Sequence, residues 1–97
     1  MVRIAFSPRA IDDLERLSDF LIGIDKNAAL ATLEMIADAI QILERHPLVS
    51  RLCEGHIREL LISRGNNGYI ASYSFDERRN AVLINRIRHQ KEAGEIY

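Results

Sequence analysis

Three short segments decide the fold of this chain: Arg58-Glu-Leu-Leu-Ile-Ser-Arg64, Tyr69-Ile-Ala-Ser-Tyr-Ser-Phe75 and Val82-Leu-Ile-Asn-Arg-Ile-Arg-His89. Each combines aliphatic, β-branched or aromatic residues with polar ones, a composition typical of β-strands. The first gap, Gly65-Asn-Asn-Gly68, supplies residues that tolerate positive φ in a tight turn, and the second, Asp76-Glu-Arg-Arg-Asn80, is longer and charged. Because connections this short join neighbouring strands, the segments predict one antiparallel meander over residues 58–64, 69–75 and 82–89.

A strand and two helices are predicted before the meander. Val2–Phe6 has the alternation of a short strand, and Ser7-Pro8 places an N-cap serine before a proline at the first helical position. Apolar residues then recur at helical spacing over residues 11–24 and again over residues 29–43. Two helices joined by so short a turn form an antiparallel hairpin.

Charge and proline define the helix faces and the end of the hairpin. The polar face of the first helix is predicted to hold Asp12, Asp13, Glu15, Arg16 and Asp19. Pro47 ends the second helix, because proline cannot continue a helical backbone. Residues 48–57 show no clear period and are interpreted as a connector.

These elements predict an α+β fold: an N-terminal strand, a helical hairpin on one sheet face, and a three-stranded antiparallel meander, in a single domain over residues 1–97. Strict alternation in the last strand sorts its residues into two sides. One side would carry Val82, Ile84, Arg86 and Arg88, and the other Leu83, Asn85, Ile87 and His89. Both sides contain apolar residues, so alternation leaves open which sheet face is buried.

Composition restricts the function classes. The net charge is −1, but residues 1–50 hold five Lys and Arg against eight Asp and Glu, while residues 51–97 hold eight against six. A protein that grips nucleic acid through phosphates alone carries a larger positive excess, so any anion site here is expected to be local. One cysteine, Cys53, cannot form an internal disulfide, and no apolar run approaches membrane-spanning length. The sequence therefore predicts a cytoplasmic protein with no membrane association.

Several motifs together resemble the RelE/ParE superfamily of bacterial type II toxins. They are Ile57-Arg-Glu-Leu60, the pair Tyr69 and Tyr73, and Ile87-Arg-His-Gln-Lys-Glu-Ala-Gly94. The last is the most specific, because it is similar to the ending of the ParE-like branch, often described as plasmid-stabilisation proteins. In that branch a tyrosine commonly follows the glycine directly, whereas Glu95 and Ile96 precede Tyr97 here.

The resemblance implies a RelE/ParE-like fold and a growth-arresting toxin held inactive by a cognate antitoxin in a hetero-oligomer. ParE-type members inhibit DNA gyrase, whereas RelE-type members are endoribonucleases that cut mRNA on the ribosome. A third alternative is an inactive homologue retained for its antitoxin complex. Because ribosome docking favours a broad basic surface, the near-neutral charge favours a non-enzymatic gyrase inhibitor over the nuclease.

The two activities imply different site residues. For gyrase inhibition, the predicted target-binding residues are Arg86, Arg88, His89 and Lys91. For the nuclease, the predicted catalytic residues are Arg58, Arg64, Arg86, His89 and Tyr97. Arginines would bind phosphate, His89 would transfer a proton near neutral pH, and Tyr97 would stack on a base. The alternative for the strand arginines is a solvated face that protects the sheet from aggregation.

A metal site is not expected. Cys53-x-x-His56 has the spacing of half a zinc site, but the sequence offers no two further convincing ligands nearby. No cofactor is predicted either.

Overall fold

A computed structural model describes residues 1–64 and 67–90 of the chain. Helices and strands follow one another in the order β1 (Arg3–Phe6), α1 (Pro8–Ile24), α2 (Lys26–Gln41), β2 (Arg51–Glu54), β3 (Ile57–Arg64), β4 (Asn67–Asp76) and β5 (Ala81–His89). A 3₁₀ turn, Ile42–Glu44, extends α2. The predicted α+β class, with its N-terminal strand and helical hairpin, is confirmed.

The strands form one sheet in the order β1-β5-β4-β3-β2. β3 pairs antiparallel with β4, so that Ile62 lies opposite Tyr69, and β4 pairs antiparallel with β5, so that Tyr73 lies opposite Ile84. The predicted meander is therefore confirmed. β1 lies on the other side of β5 and runs parallel to it.

β2 is a strand that the sequence analysis missed, and the interpretation of residues 48–57 as a connector without a strand is wrong. Arg51–Glu54 pairs antiparallel with β3 at the edge of the sheet, with a register shift between Leu52 and Glu54. All four residues are exposed, so no alternation of apolar and polar residues marks the strand. Gly55 follows with φ of 57°, a left-handed conformation that lets the chain turn back into β3.

The hairpin depends on two capping side chains. Ser7 Oγ accepts a hydrogen bond from the Ala10 N–H at 3.0 Å and starts α1, with Pro8 at the first helical position. The Asp25 carboxylate accepts from the Asn27 N–H at 2.9 Å and the Ala28 N–H at 3.3 Å. One residue therefore ends α1 and caps α2, which produces the abrupt antiparallel turn.

The hairpin covers the sheet face that carries Ile62, Tyr69, Ala71 and Tyr73, and this answers which face is buried. The largest fully buried side chains are Tyr73, Ile36, Leu43, Ile84 and Val82. Tyr73 also holds the segment before β2, because its hydroxyl donates to the Pro47 carbonyl at 2.8 Å and contacts Ser50 Oγ. The opposite sheet face carries no helix among the described residues.

Candidate functional site

A β-bulge divides β5 into two halves. Tyr73 pairs with Ile84 and Ser72 pairs with Arg86, so Asn85 is an extra residue with no partner in β4. Before the bulge, Val82 and Ile84 are fully buried; after it, the buried residue is Ile87. The predicted sharing of one side by Val82, Ile84, Arg86 and Arg88 is therefore wrong, because the bulge shifts the alternation by one residue.

α1 replaces a neighbouring strand along the second half of β5. β1 ends at Phe6, opposite Ile84. Beyond that point, the Ser7 N–H donates to the Ile84 carbonyl and the Ser7 hydroxyl donates to the Asn85 carbonyl, both at 2.9 Å. The N-cap residue of α1 thus also satisfies the backbone at the bulge.

Asp13 continues this edge six residues after Ser7, nearly two turns further along α1. It is only 3% exposed, and its Oδ2 accepts hydrogen bonds from the Ile87 N–H and from Arg86 Nε, each at 2.9 Å. Its Oδ1 accepts from Arg86 Nη2 at 3.3 Å and from Arg16 Nη2 at 3.0 Å. The predicted place of Asp13 on the polar face of α1 is therefore wrong, because this carboxylate faces the strand.

The charge of Asp13 is stabilised by these donors. Burial acts to raise the pKa of Asp13, but the hydrogen bonds from Arg86 and Ile87 and the positive charges of Arg86 and Arg16 together lower it below the usual value. The carboxylate is therefore ionised at neutral pH and forms a charge-assisted pair with Arg86.

Arg86, His89 and Arg88 occupy three different environments at the end of β5. The Arg86 side chain is 25% exposed and bound to Asp13. The His89 ring packs edge-on against Tyr69, with ring centroids 5.1 Å apart and planes at 90°. Arg88 pairs with Ile70, one row from His89, and therefore projects from the opposite sheet face to His89.

A groove of about 680 Å³ separates this end of the sheet from the tip of the hairpin. Its polar lining residues are Asp13, Arg16, Thr32, Tyr69 and His89, and its apolar ones include Leu17, Phe20, Leu21, Ile24 and Ile87. Burial raises the pKa of Tyr69, so its phenol stays protonated at neutral pH. His89 is the imidazole among these lining residues.

The other predicted site residues do not join this cluster within the described residues. Arg58 is half-buried, and its Nη1 donates to the Ser50 carbonyl at 2.8 Å and the Leu48 carbonyl at 3.5 Å, so it ties down the segment before β2. Arg64 ends β3, and its side chain lies outside the described residues, as do Lys91 and Tyr97 entirely.

Sequence reasoning missed two buried carboxylates: Asp13 lies in the site, and Glu59 lies near the opposite edge of the sheet. Asp13 lies three residues after Ala10 and four before Leu17, on the apolar stripe of α1, and a carboxylate on a buried stripe was the available signal. Glu59 is also buried, and its Oε1 accepts from Arg51 Nη2 at 3.1 Å across the β2–β3 pair. No pattern within β2 pointed to that pair.

Among residues 1–64 and 67–90, no three His, Cys, Asp or Glu side chains are grouped to hold a metal ion. In the same residues, no helix has the combined length and apolarity needed to cross a membrane.

Comparison with known proteins identifies the family. Residues 4–94 match the family model described as "ParE toxin of type II toxin-antitoxin system, parDE". Toxin RelE3 of Caulobacter vibrioides is 33% identical over 92 residues, which cover 95% of this chain and 98% of that protein.

Solved structures share the fold. The toxin of the chromosomal ParDE system of P. aeruginosa superposes with a TM-score of 0.74 at 20% identity, covering 92% of this chain and 96% of that one. A chain of the intact E. coli RelBE toxin–antitoxin complex gives 0.65 at 13% identity, covering 91% and 95%. The chain therefore belongs to the ParE toxin family, within the ParE/RelE superfamily of type II toxin–antitoxin toxins.

Proposed function

We propose that this toxin arrests growth by binding DNA gyrase through the end of β5, without cleaving RNA. The target-binding residues would be Arg86, Arg88, His89 and Lys91, carried by one toxin domain over residues 1–97. Gyrase acts in the cytoplasm, which is therefore the proposed location.

One observation carries the choice of a binding mechanism: two of the arginines that a nuclease would use, Arg58 and Arg86, are already engaged within the protein. Arg86 is paired with Asp13, and Arg58 donates to two backbone carbonyls. Arg51, at the opposite edge of the sheet, is paired with Glu59. Cleavage through a 2′-hydroxyl needs cations directed at the scissile phosphate together with an acid and a base, and these contacts divert the cations.

Paired assays test the target. The purified toxin is expected to inhibit DNA supercoiling by gyrase and to leave cell-free translation unchanged. Arg88→Ala should weaken inhibition by about tenfold, as expected for one lost charge-assisted hydrogen bond. Arg78→Ala is the matched control, because Arg78 is exposed in the β4–β5 turn at the far end of β5. Cleavage of ribosome-bound message with no effect on supercoiling would overturn the proposal.

A ribosome-dependent endoribonuclease is the second candidate, favoured by the name of the relative Toxin RelE3. It would use Arg86 to bind phosphate and His89 as acid or base. Both residues lie in the last four positions of β5. This candidate predicts that Arg86→Ala or His89→Ala abolishes message cleavage. A chain that neither arrests growth nor affects either assay would be an inactive homologue.

We also propose a complex with a cognate antitoxin, since the similar solved structures include toxin–antitoxin complexes. Large apolar side chains are exposed along the hairpin: Ile11, Phe20, Ile22, Ile24 and Leu30. A stable interface buries more than about 1,000 Å², and these side chains offer apolar area for it. Co-expression with the neighbouring antitoxin gene should restore growth and yield a co-purifying pair; unrestored growth would contradict this.

A further inference from the structure

Asp13 is too buried to touch a macromolecular target, yet it binds the segment to which target binding is assigned. We infer that Asp13 is a positioning residue, whose carboxylate holds Arg86 and the bulged register of β5 and thereby orients Arg86, Arg88 and His89. The inference rests on the proposed function, because that function assigns target binding to this segment. The contacts of Asp13 do not depend on which target is bound.

One edge of β5 loses its strand neighbour after Ile84. β1 ends opposite Ile84, so no described strand pairs with residues 85–89 on that side. The Ile87 N–H on this edge finds its acceptor in Asp13 Oδ2. Because an unsatisfied buried N–H is costly, the carboxylate selects backbone conformations in which Ile87 faces α1.

The register of β5 against β4 depends on the bulge. Asn85 is the extra residue of the bulge, and removing the bulge would shift the following residues by one position relative to β4. A one-residue shift exchanges the two faces of a strand, so Arg88 and His89 would change places between the open face and the hairpin side. By accepting from the Ile87 N–H, Asp13 favours the register in which Arg88 lies on the open face and His89 on the hairpin side.

The Arg86 guanidinium makes a two-point contact with the Asp13 carboxylate. Arg86 Nε donates to Oδ2 and Nη2 donates to Oδ1, which fixes the plane of the group as well as its position. Arg16 also donates to Oδ1, but its side chain is 64% exposed, and its contact is within α1. The link from helix to strand is thus made through Arg86 and Ile87.

The test compares growth arrest by inducible variants. Asp13→Asn keeps the size of the side chain and an oxygen acceptor but loses the charge, and we expect growth arrest to weaken at least about tenfold. Asp12→Asn makes the same change at the exposed neighbour and should arrest growth like the unmodified chain. Ile36→Val destabilises the core from α2, and it should also retain arrest if positioning rather than stability is responsible.

Solvent exchange of the arginine Nε–H groups, measured spectroscopically on the unmodified toxin–antitoxin complex, is a separate test of the positioning role. The Arg86 Nε–H is expected to exchange with solvent far more slowly than that of exposed Arg78, and to lose this protection in Asp13→Asn. Equal exchange at Arg86 and Arg78 would overturn the inference even if Asp13→Asn failed to fold. Undiminished arrest by Asp13→Asn would also overturn it. If the unmodified chain caused no arrest, the proposed function would fail, while the exchange comparison would still decide the positioning role.

Discussion

The two halves of β5 have the same secondary structure but different neighbours. Ala81–Ile84 lies between two strands, β1 and β4, and its edge toward β1 is satisfied by backbone groups. Asn85–His89 keeps β4 on one side but has the side chains of Ser7 and Asp13 on the other. The first half is held by the backbone of β1, so most side-chain substitutions in β1 should leave its hydrogen bonds intact. The second half depends on two side chains, those of Ser7 and Asp13.

The largest expected effect lies in the first half, where packing dominates. Ile84→Ala should lower the free energy of unfolding by about 2–5 kcal/mol, because it leaves a cavity in a fully buried site. Leu83→Ala, one residue earlier and 40% exposed, should cost less than about 1 kcal/mol. Chemical denaturation of both variants checks the difference, and similar costs would show that this half does not have one buried face.

In the second half of β5, the expected loss of stability comes from removing a charge. Asp13→Asn should lower the free energy of unfolding by about 1.5–3 kcal/mol, the usual contribution of hydrogen bonds to a charged group. Asp12→Asn should change it by less than about 0.5 kcal/mol, as for other exposed positions. Equal denaturation midpoints for the two variants would mean that the carboxylate does not stabilise this half.

The same carboxylate predicts a pH dependence. The pKa of Asp13 is lowered in the folded state, so its contribution is fully present above the pKa of an unfolded aspartate and is lost as pH falls through the lower folded value. The stability difference between the unmodified chain and Asp13→Asn should therefore narrow below about pH 4. Urea denaturation across the acid range measures this; a difference that widened toward low pH would contradict the assignment.

The smallest effect is expected at the opposite edge of the sheet. Arg51 and Glu59 form an ion pair there, but the Arg51 side chain is 71% exposed. Because solvent screens such a pair, a double-mutant cycle with Arg51→Ala and Glu59→Gln should give a coupling energy of about 0.2–1 kcal/mol. A coupling larger than that of Asp13 with Arg86 would reverse the proposed ranking of the two edges.

The contrast between the two halves of β5 also explains how far the sequence could predict the structure. The hairpin followed from helical periodicity, and the meander followed from three segments of strand-like composition joined by short turns at residues 65–68 and 76–80. Periodicity failed at Asn85, since a bulge leaves no local signal when apolar residues occur on both sides of the strand. It also failed for β2, whose four residues are all exposed.

The candidate site was harder to predict than the fold. His89 was predicted from the family motif and Arg86 from the arginines on the strands, and both lie at the end of β5. Asp13, which binds Arg86, is 73 residues from it in the sequence. A hydrogen bond across that separation depends on how α1 packs along β5, which local composition does not encode.

Amide hydrogen exchange in Asp13→Ala tests most directly whether side chains hold the second half of β5. Removing the carboxylate eliminates the acceptor for the Ile87 N–H, while Val82 remains between β1 and β4. The ratio of the Ile87 exchange rate to the Val82 rate should rise at least about tenfold over that of the unmodified chain. An unchanged ratio would contradict the account, because it would show that Ile87 is protected without Asp13.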